Sequence, residues 1–364
     1  MRSSKRCPPG FDKLSEDLIY DILLRLPVKP LLRCKAVSKP WRCLISNPGF
    51  VDSHQARTGS GSGAESTLII HNKSVSLLHL GPSQLVDDLQ LPHCKSKYGG
   101  DTILVGSDRG IVCVAVCKSG WISFSEARYP TSIYLWNPAT KHYKVIPPHR
   151  CYDKYEKVNV GFGFDPIDND FKVVRVVGSP FPSEVYSANL NAWRKIGPIP
   201  TDIRPLYNFN VCINGLLCWT GDEGILAFDL YKEVFTCVTK FPKESTFSCI
   251  TDFNNSIAVI TGKGINGKIN LWTLDDVECL RVGGVVEASW TLTLSIDTDV
   301  KGHSVHSYFN NGDMLLTSDD CKCFTYNSAK KETKEVPKFI DLDQVFKYKE
   351  TLVSVTGFKQ VECS

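Results

Sequence analysis

Fifteen cysteines and eight histidines are the residues of this 364-residue chain with the widest range of possible chemistry. A structural zinc site needs thiolates at Cys-x₂₋₄-Cys spacing with a second pair of ligands nearby. Cys113 and Cys117 have the interval, but with Ala115 they alternate along an apolar run, as small core residues of a strand do. Cys321-x-Cys323, with His303 and His306 upstream, lacks the interval. Gly161-x-Gly163 and Gly262-x-Gly264 are fragments of phosphate-loop patterns. Neither reaches a third glycine or a Gly-Lys-Ser/Thr ending, so both read as strand or turn glycines. Copper oxidation needs clustered Tyr and His, and glycoside hydrolysis needs paired carboxylates. Here the histidines are scattered and the acids sit mostly in turns. Trp136, Trp193, Trp219, Trp272 and Trp290 fall on strand positions, which suits packing better than base stacking. The expectation is a chain that performs no catalysis and holds no metal or cofactor.

An odd, high cysteine count without a secretory leader argues for free thiols in a reducing compartment, cytoplasmic and/or nuclear. The N-terminus MRSSKRCPPG has no apolar core, and no run of 18 apolar residues exists, so no membrane association is expected. Charge is uneven. Residues 1–57 hold 11 basic and 5 acidic residues, a net +6, and the remainder hold 31 and 34, a net −3. The basic residues are interleaved with apolar ones rather than gathered, which favours a solvated rim around a docking face over nucleic-acid binding.

The elements that would present such a face lie in residues 11–50. Ser15 is a helix N-cap candidate, with Glu16 and Asp17 where the helix dipole favours negative charge. Leu18, Ile22 and Leu26 then recur at helical spacing until Pro27. A second helix carries Leu31, Leu32, Cys34 and Val37. A third, capped by Ser38, carries Trp41, Leu44 and Ile45 and is expected to stop at Asn47-Pro48. Three helices in about 40 residues sit near the lower limit for an independent core, so the unit wants a partner. The strings Leu14-Ser-Glu-Asp-Leu18, Ile22-Leu-Leu-Arg-Leu-Pro-Val-Lys29, Leu31-Leu-Arg33, Val37-Ser-Lys39, Trp41-Arg42 and Leu44-Ile-Ser46 resemble an F-box. Ser15, Pro30, Cys34 and Pro40 depart from the family pattern, the two prolines near helix starts where a missing N–H costs little. The resemblance implies docking on the Skp adaptor of a cullin–RING ubiquitin ligase. The apolar residues to be buried there are Leu14, Leu18, Ile22, Leu26, Pro27, Leu31, Leu32, Val37 and Trp41.

Residues 58–66, TGSGSGAES, read as a flexible linker spanning about 15–18 Å. After it, helical periodicity gives way to short alternating strands over residues 67–356. Turn signals recur at Ser107-Asp-Arg-Gly110, Asp165-Pro-Ile-Asp-Asn-Asp170, Asn214-Gly215, Asn254-Asn255 and Asn310-Asn-Gly312. Tyr143, Trp193, Phe235 and Trp290 open a last strand after four of them. Four strands per 40–60 residues is propeller spacing, with blades expected at about 101–147, 158–198, 208–242, 248–297 and 304–337. Residues 67–91 supply three more strands. Thr351–Val355 is expected to complete a sixth blade by pairing with Thr67–His71, which would protect the ring's edges. An open ring or a different blade count stays as the alternative. The strings Leu135-Trp-Asn-Pro-Ala-Thr140, Gly161-Phe-Gly-Phe-Asp-Pro166, Phe171-Lys-Val-Val-Arg175 and Asn214-Gly-Leu-Leu-Cys-Trp219 make this part similar to the F-box-associated domain, a kelch-like propeller of plant F-box proteins.

The combined reading is a small all-α N-terminal unit, residues 11–57, followed by an all-β, kelch-like ring of six blades. By the resemblance it is a substrate receptor that takes its target to ubiquitination. An interaction hub outside a ligase, or a nucleic-acid binder, is the alternative. Target contacts are expected on the face carrying the longer inter-strand loops. Arg150, Tyr152, Tyr155, Phe181, Arg204, Tyr207, Asp222 and Glu223 lie there, residue types that dominate binding hot spots or rim them with charge.

Overall fold

A computed structural model of the chain describes residues 14–59, 66–71, 74–79, 86–92, 100–118, 130–148, 158–177, 183–200, 205–221, 224–239, 242, 247–262, 268–300, 304–309, 312–327, 329–340, 342 and 344–360. The helices begin where the capping residues put them. In α1 (Glu16–Leu24), the Ser15 hydroxyl accepts from the Leu18 N–H at 3.3 Å. Helix α2 (Val28–Cys34) starts after Pro27, and α3 (Lys39–Ile45) is capped by the Ser38 hydroxyl, which accepts from Trp41 N–H. A fourth helix, α4 (Pro48–Gly59), follows the three expected ones. Pro48 does not stop the helical run as its sequence suggests; it opens α4, because a proline at the first helical position loses no hydrogen bond. The Asn47 side chain accepts from Gly49 N–H at 2.8 Å. Phe50 and His54 of α4 are buried, the His54 ring bonding the Leu26 carbonyl at 2.9 Å. The helical unit therefore reaches two residues into the expected linker, and the ring begins at Ser66.

Six antiparallel sheets make the ring. From the inner strand outward, blade two is Gly100–Asp108, Ile111–Lys118, Pro130–Asn137 and His142–Val145, with Lys359–Gln360 added outside. Blade three is Val158–Asp165, Asp170–Val177, Glu184–Ser187 and Ala192–Lys195. Blade four is Pro205–Ile213, Leu216–Gly221, Ile225–Asp229 and Val234–Val238, with Gly284–Val286 lying parallel on its outer edge. Blade five is Phe247–Phe253, Ser256–Thr261, Lys268–Leu274 and Trp290–Asp297. Blade six is Ser304–Tyr308, Met314–Thr317, Lys322–Asn327 and Glu332–Ile340. Blade one is built from both ends of the ring: Gln344–Tyr348 inside, then Ser66–His71, Ser74–His79 and Val86–Leu89. The inner strands touch their neighbours all the way round, including across the closing blade.

The closing strand is thus Gln344–Tyr348, paired from Ser66↔Tyr348 to Ile70↔Gln344, and not Thr351–Val355. Gln344 explains the choice. Its amide exchanges two hydrogen bonds with the Leu104 backbone, at 2.7 and 3.2 Å, locking blade one to the inner strand of blade two. Residues 351–355 carry no strand pairing.

Packing between blades accounts for several residues met in the sequence. Trp136 and Trp219 are buried among neighbouring sheets. A Cβ on Gly161 would stand 2.3 Å from the Trp219 ring, so this glycine allows blades three and four to approach. Cys113 and Cys323 are buried and Cys321 is exposed. Among the described residues no three metal-ligating side chains come together. No helix there is long and apolar enough to cross a membrane.

Candidate functional site

The helical face comes first. Leu18 and Ile22 lie one turn apart on α1, 46% and 43% exposed, and Val37 after α2 is 63% exposed. Large apolar side chains left open at helical spacing on so small a unit are unusual for a surface that meets only water. Pro27 is also exposed, while Leu14, Leu26, Leu32 and Trp41 are half-buried. Leu31 is fully buried with Leu23, Leu24, Val28, Ile45 and Phe50, so it supports the face from within. Of the nine residues expected on the docking surface, eight reach solvent and one forms the core beneath.

The helices do not float on a tether. Leu352, beyond the closing strand, is buried in their apolar core, and Ala139 packs beside it. Its neighbours are held to blade two. The Asn137 amide donates to the Thr351 and Val353 carbonyls at 3.1 and 2.8 Å, and Thr351 Oγ1 donates to the Arg109 carbonyl at 2.9 Å. Lys29 of α2 reaches Asp87 on blade one at 3.0 Å and Glu350 at 3.6 Å. The Asp87 hydrogen bond raises the Lys29 pKa, and Lys29 in turn lowers that of Asp87. Lys29 and Asp87 are half exposed, so the pair adds orientation more than stability.

These contacts place the helices on one face of the ring. In blades two to six, that face carries the connections from first to second strand and from third to fourth. Among the described residues, nine of the ten non-glycines with positive φ sit in those turns, including Arg109, Lys141, Asn169, Asn191, Asn214 and Glu233, so its geometry is tightly specified. Beneath the turns of blades three and four lies Lys172, with its side chain 2% exposed. It bonds Asp165 at 2.7 Å, Asp168 at 3.0 Å and the Leu230 carbonyl at 2.8 Å. Burial disfavours its charge, but the two carboxylates outweigh that and raise its pKa. Arg194 pairs with Glu233, and Arg281 with Asp229 at 2.7 Å.

Sequence reasoning missed what this scaffold displays. Ile167, Leu190 and Tyr231 lie in the turns, 62%, 70% and 49% exposed, and Val282, after the short helix Val277–Arg281, is 66% exposed. The N–H groups of Ile167 and Tyr231 donate to Asp165 and Asp229, both at 2.9 Å, and that of Leu190 to Ser187 Oγ at 3.1 Å. The legible signal was a large apolar residue two or three positions after an Asp or Ser inside a turn. Arg150, Tyr152, Tyr155, Phe181, Arg204, Asp222 and Glu223, expected to touch the target, lie outside the described residues. Of Tyr207 only the backbone, in the inner strand of blade four, is described.

Comparison with known proteins agrees with this architecture. Residues 11–52 match the F-box domain, and residues 72–341 match the F-box associated beta propeller domain. The chain is 27% identical over 352 residues to F-box protein CPR1 of Arabidopsis thaliana, covering 84% of this chain and 78% of that protein. It is 26% identical to the F-box/LRR-repeat protein At2g43260 of the same plant, covering 82% and 70%. With F-box protein At5g07610, also from Arabidopsis thaliana, it shares 30% identity over 59% of this chain and 54% of that one. An adaptor-type helical unit on a closed six-bladed ring, matched along nearly its whole length, makes this chain a plant F-box protein of the F-box-associated propeller family, with a substrate-recognition role.

Proposed function

We propose that the chain is the substrate-recognition subunit of an SCF-type (Skp–cullin–F-box) ubiquitin ligase, directing a target protein to ubiquitination and proteasomal degradation. The observation that carries this reading is the open apolar pair Leu18 and Ile22 on helices pinned to the ring. Such a face suits a Skp-type adaptor, as an amphipathic helix surface entering a groove. The chain itself contributes no chemistry. It holds target lysines near a ubiquitin-charged enzyme, so the gain is effective concentration rather than transition-state stabilisation. A reducing compartment, cytoplasmic and/or nuclear, suits its cysteines.

Fully burying a large apolar side chain is worth about 1.5–3 kcal/mol, and these two are already half covered. Leu18→Ala/Ile22→Ala should therefore weaken binding to a purified Skp-type adaptor about ten- to hundredfold. Calorimetry checks it, and wild-type affinity in the double variant would overturn the assignment. The proposed target contacts are Arg150, Tyr152, Tyr155, Phe181, Arg204, Tyr207, Asp222 and Glu223, on the loop face expected from the sequence. A second reading has one specific observation in its favour. The exposed Ile167, Leu190, Tyr231 and Val282, on connections of blades three to five, offer the turn face as the target's seat instead.

A further inference from the structure

We infer that Leu352 and Lys29 are positioning residues through which the adaptor-docking helices and the closure of the ring share one equilibrium. The inference rests on the reading of the helices as an adaptor-docking unit. Leu352 lies four positions beyond the end of the closing strand at Tyr348. Upstream, that strand pairs with Ser66–His71. Downstream, Val353 and Val355 pack into the apolar core between blades two and three. Leu352 itself, 4% exposed, lies in neither. It completes the helical core beside Leu23 and Leu24, which occupy the inner side of α1, the helix that carries Leu18 and Ile22 outward.

A helical unit of this size buries too little surface to order itself alone. Withdrawal of Leu352 removes part of its core, and the docking face loses its support. The segment is fixed to blade two by Asn137 and Arg109, and Lys29 binds Glu350 within it. Opening the closing strand and loosening the helices are therefore one event. An adaptor that binds only ordered helices must stabilise the closed ring by the same factor that ring closure strengthens adaptor binding.

The test uses the full chain and a purified Skp-type adaptor, read by amide hydrogen exchange and by calorimetry. In the free chain, Leu352→Ala should speed exchange in α1 and α2 about tenfold. In the wild type, saturating adaptor should slow exchange in Gln344–Tyr348 and Ser66–His71 as well as in the helices. Leu352→Ala should weaken adaptor binding about tenfold although it lies behind the docking face, and should abolish the remote protection. Lys29→Glu should weaken binding severalfold, and Asp87→Lys/Glu350→Lys in that background should restore it, which a loss of folding would not allow. If Leu352→Ala does not fold, the Lys29 series and the wild-type protection map decide alone. Adaptor-induced protection confined to the helices, or unchanged helix exchange in Leu352→Ala, overturns the coupling. A wild-type chain that binds no adaptor defeats the docking reading instead, and exchange in the free chain still decides the link between segment and helices.

Discussion

His306 shows how a single residue can make this ring sensitive to acid. It is the extra residue of a bulge between Val305 and Ser307, on the inner strand of blade six, and its Nε2 meets Thr317 Oγ1 at 2.8 Å. Burial lowers its pKa from the ordinary 6.5 to about 4. In the unfolded chain this imidazole takes up a proton below about pH 6.5, whereas in the folded chain it does so only near pH 4. The unfolded state therefore binds more protons across that window, and stability falls as the pH drops through it. His306→Gln should flatten the decline in melting temperature between about pH 6.5 and 4. The steeper loss below pH 4, where the lowered carboxyls of Asp87 and Asp165 titrate, should remain. Lys172 makes a sharper case. Replacing it with methionine would leave Asp165 buried without its partner, a change worth about 3–5 kcal/mol. Urea unfolding should show that loss, while the same change at exposed Lys232 should move the midpoint little. Residue types on the helical face were legible because helical spacing puts Leu18 and Ile22 on one side. That Leu31 points inward was not, because α4 and Leu352, which cover it, come from elsewhere in the chain.

At the scale of elements, periodicity and turn chemistry recovered the blades to within a few residues. The two misreadings share a cause. Pro48 and Thr351–Val355 each carry a local signal that fits two outcomes, and long-range partners decide between them. A proline after Asn ends one helix or begins another, and Phe50 and His54 settle it by entering a core already half built. The alternating residues 351–355 have strand character. Their carbonyls, however, are taken by Asn137, while Gln344 secures the neighbouring run against Leu104. The resulting prediction separates two roles that the sequence had merged. Truncation after Ile340 removes the closing strand and exposes Ser66–His71 as an edge, so insolubility or loss of a cooperative transition is expected. Truncation after Gln360 leaves every described element in place and should melt like the full chain.

For the whole molecule, the placement of the helices divides the work between the two faces of the ring. They sit on the turn face over blades one and two, held through Asp87, Ala139, Glu350 and Leu352. Most of the described turns there are short and conformationally fixed, a good foundation and a poor source of variety. At the opposite face lie the strand ends Lys118 and Pro130, and Val177 and Glu184; the sequences between them and at 149–157 are rich in Arg, Tyr and Phe. A receptor that needs one constant partner and one particular target gains from keeping them on separate faces, since neither then obstructs the other. The turn face of blades three and four offers the competing surface, with Ile167, Leu190 and Tyr231 on turns that lose little entropy on binding. Two variants decide between them. One exchanges residues 149–157 and 201–204 for Gly/Ser loops of equal length, and the other carries Ile167→Ser/Leu190→Ser/Tyr231→Ser. Both should bind the adaptor with wild-type affinity, which controls for folding. Affinity purification under proteasome blockade should then lose the target from the loop variant and keep it with the serine variant. The reverse pattern would move the target to the turn face, on the same side as the adaptor.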